Sequence, residues 1–151
     1  MTVKEFVNEY NQASDKEKCI NKHIIKDKYV SYAEKITRCK NIIDTTMYVT
    51  VEDKRFFKQN SVSQYMLFSL TLIDLYTDIE IDINDSLNIF DLFEKHCLIG
   101  KITSSIPINE KNNFEFILNM MIDDLMINTR NMVGFIEDKL NELSLLGDIE
   151  E

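Results

Sequence analysis

One proline and three glycines are the whole supply of strong helix breakers in this 151-residue chain, and none lies before residue 100: Gly100, Pro107, Gly134 and Gly147. A sandwich or barrel of short strands needs a turn roughly every 8–12 residues, most often built on glycine or proline. Residues 1–99 contain neither, so helices joined by polar turns are expected. Fourteen asparagines supply material for those turns.

Four pairs match the pattern in which a hydroxyl and a later carboxylate or amide cap a helix start: Thr2 with Glu5, Ser14 with Glu17, Ser31 with Glu34 and Ser61 with Gln64. They place short helices over about 3–12 and 15–22, with an undefined connection from Ile24 to Tyr32. A third helix runs from Ala33 to about Thr46, with Ile36, Cys39, Ile42 and Ile43 on its buried side. The period then changes. Tyr48-Val49-Thr50-Val51, a turn at Glu52-Asp53-Lys54, and Arg55-Phe56-Phe57-Lys58 read as a hairpin.

The segment Tyr65 to Tyr76 is apolar almost all round, the mark of a helix surrounded by others. Asn84-Asp85 caps a helix carrying Leu87, Phe90 and Phe93, which ends near His96. Ile99 to Ser105 is a short helix or a turn stopped by Pro107. Asn109 opens a long pattern whose stripe is Phe114, Ile117, Leu118, Met121, Leu125, Met132, Ile136, Leu140 and Leu143. A bend or break is expected at Asn128-Thr129-Arg130-Asn131, where the pattern turns polar. The expected fold is a mostly α, compact bundle of about six helices in a single domain, 1–151, with a small β-hairpin near residues 47–60.

Cys19, Cys39 and Cys97 are odd in number and widely spaced, which argues against a disulfide framework and for a reducing compartment. No apolar run near Met1 resembles a signal sequence, and the longest uncharged stretch, Gln59 to Ile73, is too short and polar to span a bilayer. A cytoplasmic protein is expected.

The net charge of −9 hides a division. Residues 1–60 carry twelve Lys or Arg against nine Asp or Glu, whereas residues 61–151 carry five against seventeen. The acidic total argues against nonspecific nucleic-acid binding and against anionic membranes. The division has three readings: it maintains solubility, it lets copies stack head to tail, or it presents an acidic face to a basic partner.

The alternation Asp78-Ile79-Glu80-Ile81-Asp82-Ile83-Asn84-Asp85 resembles the start of a calcium loop. Ile83 stands where glycine is needed and Ile89 where glutamate is needed, so that reading fails. The isoleucines are expected to point inward from a short connection and the carboxylates to meet water. Cys19 and His23 share a helix face if the second helix reaches that far. The other soft ligands, Cys39, His96 and Cys97, are too scattered for zinc, so a core cysteine and a surface histidine are expected.

Asp123 and Asp124 read as solvated acids; a buried one would need Arg38, Arg55 or Arg130. Met120, Met121, Met126 and Met132 suit either core filling or an adaptable interface. Phosphate loops, GxSxG and HExxH are absent. An enzyme would need His96, Cys97 or Asp82 to converge in a pocket. No catalytic residue, metal or cofactor is therefore expected.

Tyr65 to Thr77, the following Asp78-Ile79-Glu80-Ile81-Asp82, and Leu118-Asn119-Met120-Met121-Ile122-Asp123-Asp124-Leu125 are similar to segments of small uncharacterised proteins of bacteriophages and prophages of low-GC Gram-positive bacteria. The resemblance implies a phage origin, residence in the host cytoplasm or the virion, and no catalytic residue. Two roles compete. One is a noncatalytic structural or virion-assembly protein, of the head-tail connector or tail-assembly chaperone type, acting on a protein partner or by self-association as a head-to-tail oligomer. The other is an acidic inhibitor of a host defence nuclease that imitates nucleic acid. The expected contact residues are the acids Asp74, Asp78, Glu80, Asp82 and Asp85 and the bases Lys22, Lys26, Lys28, Lys35 and Arg38.

Overall fold

The computed structural model describes residues 1–147; the acidic end Asp148 to Glu151 and the side chains of residues 138, 139 and 141–147, Leu143 among them, lie outside the described part. The described residues form seven α-helices and one two-stranded sheet: α1 (Val3–Gln12), α2 (Lys16–His23), α3 (Tyr32–Thr46), β1 (Tyr48–Val51), β2 (Lys54–Phe57), α4 (Ser61–Tyr76), α5 (Ser86–Lys95), α6 (Leu98–Ser105) and α7 (Ile108–Gly147). The mostly helical fold and the hairpin match the sequence reading. The segment left open at 99–105 is a helix, α6, and brings the number to seven.

Thr2 makes the full reciprocal cap: its hydroxyl accepts from the Glu5 N–H at 3.3 Å, and its own N–H donates to Glu5 Oε2 at 2.8 Å. Ser31 accepts from the Glu34 N–H, while Glu34 turns away to Arg38. The other two starts are shifted by one. Asp15, not Ser14, caps α2, and Asn60, not Ser61, caps α4. Asp and Asn accept from the N3 N–H as well as serine does, so a neighbouring pair leaves the position undecided. At α5 the expected Asp85 cap is also replaced. Asp82 caps a short 3-10 turn over Ile83–Asp85, and Asp85 instead accepts from Asn88.

The hairpin turn has two residues, not three: Val51 pairs with Lys54, leaving Glu52 and Asp53 at φ 50° and 61°. A two-residue turn with both φ positive follows the twist of the strands but strains a Cβ-bearing residue such as glutamate. Replacing Glu52-Asp53 with Asn-Gly is expected to stabilise the hairpin by about 1 kcal/mol. Slower amide exchange across the Tyr48–Phe57 to Val51–Lys54 ladder would register the gain. Both strands are largely exposed; Arg55 ties them down, stacked on Tyr48 and paired with Asp44 at 2.7 Å.

Helix α4 is central as its sequence implies, burying Leu70, Leu72, Ile73 and Tyr76 among its neighbours. In the alternating segment Ile79 is buried and Ile81 half-buried, but Ile83 is exposed where the connection gives way to the 3-10 turn. Ile24, in the undefined connection, pairs with Thr77, and Thr2 pairs with Glu80.

Candidate interaction surface

The position of α7 defines the surface. Its contacts with α4 step from Tyr76 against Glu110, through Phe68 against Phe114, to a cleft where Ser61 and Tyr65 meet Leu118 and Asn119. The two helices therefore run antiparallel, and α4 begins level with Asn119. Helix α7 continues beyond that point to Gly147 without a break. No break falls at residues 128–131, since no proline or glycine stands there and Thr129 returns its hydroxyl to the Leu125 carbonyl at 2.8 Å within the helix.

The apolar stripe of α7 thus passes through two environments. Phe114, Ile117 and Leu118 are buried; Met121, Ile122, Leu125 and Met126 are half-buried against the core. From Ile127 on the face opens: Met132 is 66% exposed, and Ile136 and Leu140 are exposed with it. The helix from Ile127 to Gly147 makes an arm of about 30 Å at 1.5 Å per residue. Beside its root, Tyr32, Ile36, Phe116, Ile117, Met120 and Met121 line an apolar groove between α3 and α7, with Asp124 at its edge. Asp123 and Asp124 are solvated, as read from the sequence.

The charged residues expected to make contacts are distributed differently from the division along the chain. Lys35 requires a correction: it is only 1% exposed, so it cannot reach a partner. Its ammonium lies 2.9 Å from Glu110 Oε2, against the rings of Tyr29 and Tyr32, while the Tyr76 hydroxyl donates to the same oxygen at 2.6 Å. Burial pushes the Glu110 carboxyl up, but the Tyr76 and Lys35 hydrogen bonds outweigh it and hold it below the ordinary value. The Tyr76 hydroxyl is raised by burial first and by Glu110 second.

Arg38 reaches across to Asp74 at 3.4 Å, and with Lys28 these two line one shallow cleft. Lys22 pairs with Glu9 at 2.7 Å, and Lys26 is exposed. Asp78 accepts from or donates to His23 Nδ1, according to the ring tautomer and protonation, at 2.9 Å. Glu80, Asp82 and Asp85 come together around a groove with Val3, Ile81, Ile89 and Leu92. Opposite charges therefore meet within the chain as well as facing outward.

His23 is a second correction: it is 5% exposed, not a surface side chain, because it continues the buried face of α2 set by Cys19 and Ile20. Asp82, His96 and Cys97 serve as helix-end residues, for the 3-10 turn, α5 and α6 respectively. The three cysteines are free thiols, and burial raises that of Cys39 to about 11. No helix among the described residues is long and apolar enough to cross a membrane. Comparisons with protein-family models, with curated proteins and with solved structures find no match, so the surface is interpreted from its own geometry.

Proposed function

We propose that this chain is a noncatalytic assembly protein of the phage virion-assembly type, working through protein–protein contacts, with the α7 arm as its contact element. One observation carries the reading: the stripe that docks α7 on the bundle continues over Met132, Ile136 and Leu140, which remain exposed among the described residues. Water-exposed apolar faces of this kind on a helix are docking faces.

The partner is a second copy. The chain carries both an apolar arm and, at the arm's root, an apolar groove, which is what a head-to-tail contact requires. The contact is apolar rather than charge-driven, since Arg38, Asp74, Asp78 and Lys22 are engaged inside the chain.

Light scattering after size exclusion tests this directly. The wild-type chain is expected to form oligomers that persist in 1 M salt, where the screening length falls to about 3 Å. Met132→Glu with Ile136→Glu should give monomers, as should Ile36→Glu in the groove. Mixing the arm variant with the groove variant should yield dimers and nothing larger, because each retains one half of the contact. A wild-type monomer at high concentration defeats the reading.

The acidic groove of Glu80, Asp82 and Asp85 favours the second role, a phage inhibitor docking on a basic protein. That role predicts a monomer whose binding weakens with salt and with amide substitutions at these three positions.

A further inference from the structure

The sequence left Cys19 and His23 as a lone pair; the fold brings them a third ligand. Helix α1 lays Glu9 beside α2, so that a Glu9 carboxylate oxygen, Cys19 Sγ and a His23 ring nitrogen all lie within 4.8 Å of one another. His23 Nε2 is 3.4 Å from Glu9 Oε2, yet it is buried and makes no hydrogen bond. A buried ring nitrogen left without a hydrogen bond calls for an explanation, because it has lost its water. Its other nitrogen, Nδ1, is held by Asp78 at 2.9 Å, and the Phe6 ring stands edge-on to it at 5.4 Å. The imidazole is thereby fixed with Nε2 directed toward Glu9 and Cys19.

We propose that Glu9, Cys19 and His23 bind one zinc ion, with Asp78 orienting His23 from behind. Thiolate, imidazole and carboxylate suit zinc, whereas magnesium and calcium prefer oxygen alone. Bonds of roughly 2.0–2.3 Å to a tetrahedral ion set ligand-to-ligand edges of roughly 3.3–3.6 Å. The Nε2 to Oε2 distance of 3.4 Å already fits, and a rotation of the Cys19 side chain, whose sulfur lies within 4.8 Å of both, closes the other two edges. The Asp78 carboxylate on the far ring nitrogen reproduces the outer support that zinc histidines usually have.

Charge and protons balance. The Cys19 thiol, raised by burial and by the negative Glu9, gives its proton to solvent as the sulfur donates a pair to the ion. Thiolate and Glu9 then neutralise the two positive charges. Lys22 occupies Glu9 Oε1 and leaves Oε2 to the metal. Glu9 is half-buried, which provides a side for entry and for a water as fourth ligand. The ion would pin α1 to α2, and through His23 to the Asp78 segment.

Cobalt(II) titration of the full chain tests the site, because a thiolate bound to cobalt gives a near-ultraviolet charge-transfer band and a tetrahedral site gives intense visible bands. The expected result is one cobalt per chain with both signals, displaced by zinc. Cys19→Ser should abolish the charge-transfer band, and Cys97→Ser should leave it intact. Glu9→Gln should weaken zinc binding, and Asp78→Asn should weaken it by about 10–100-fold. Helical circular dichroism identifies any variant that has not folded, and Glu9→Gln then serves in place of Cys19→Ser. Absence of the band in wild type, or its survival in Cys19→Ser, overturns the proposal.

Discussion

Replacing Lys35 with alanine is expected to destabilise the fold by about 3–5 kcal/mol, the cost of leaving one member of a buried ion pair uncompensated. The ammonium is enclosed by Glu110 and the faces of Tyr29 and Tyr32, and its loss leaves Glu110 with the Tyr76 hydroxyl as its remaining charge-stabilising side chain. Glu110 is 20% exposed, so some water relief puts the effect toward the lower end of that range. Urea unfolding measures it as a shifted midpoint at unchanged slope.

The double variant Lys35→Met with Glu110→Leu should recover most of the loss, since well-packed apolar pairs commonly replace buried ion pairs at little cost. A single variant as damaging as wild type is stable, with no recovery in the double, would mean that packing alone holds this junction. The pair also sets a pH dependence. Glu110 is held below its ordinary value in the folded chain, so the unfolded chain takes up the proton first as acid is added. Its stabilisation is full above the ordinary glutamate value and is lost as pH falls through the lowered one. In Glu110→Gln that part of the acid sensitivity should disappear.

Phe114→Ala should be comparably damaging, about 3–5 kcal/mol, as for other fully buried phenylalanines. Its ring packs on Phe68 at 5.7 Å, and its carbonyl lies 3.9 Å from the Cys39 thiol, so it joins α7 to both α3 and α4. Met132→Ala, on the same stripe, should leave the stability of the dilute chain within about 0.5 kcal/mol. It should instead weaken association. The measurement needs low protein concentration, because assembly adds its own free energy to apparent stability. If Met132→Ala cost the monomer as much as Phe114→Ala, the arm would be folded back on the body and the proposed contact would fail.

These two predictions turn on what sequence periodicity can and cannot carry. The stripe of α7 was legible from Phe114 to Leu140, because helical spacing is a local property. Nothing in that spacing says where the bundle ends, so the buried and exposed stretches look alike. Lys35 was legible in part: it lies four residues before Cys39 and seven before Ile42, on the face that is buried. Reading the stripe from Ile36 instead placed an exposed residue inside and left the lysine outside. The signal was a charge in register with the core.

The absence of early glycine and proline, the capping residues and the helical spacing determined the helices, the hairpin and most of their boundaries, since each depends on neighbours a few residues away. Which carboxylate meets which base was decided only by the tertiary structure. Glu110 on Lys35, Asp74 on Arg38, and Glu9 beside Cys19 and His23 are brought together by helix packing, and any of the chain's 26 acids would have served equally well on paper. The same packing decided that one helix outruns the bundle, because the length of apolar surface covered depends on the partners rather than on the helix itself.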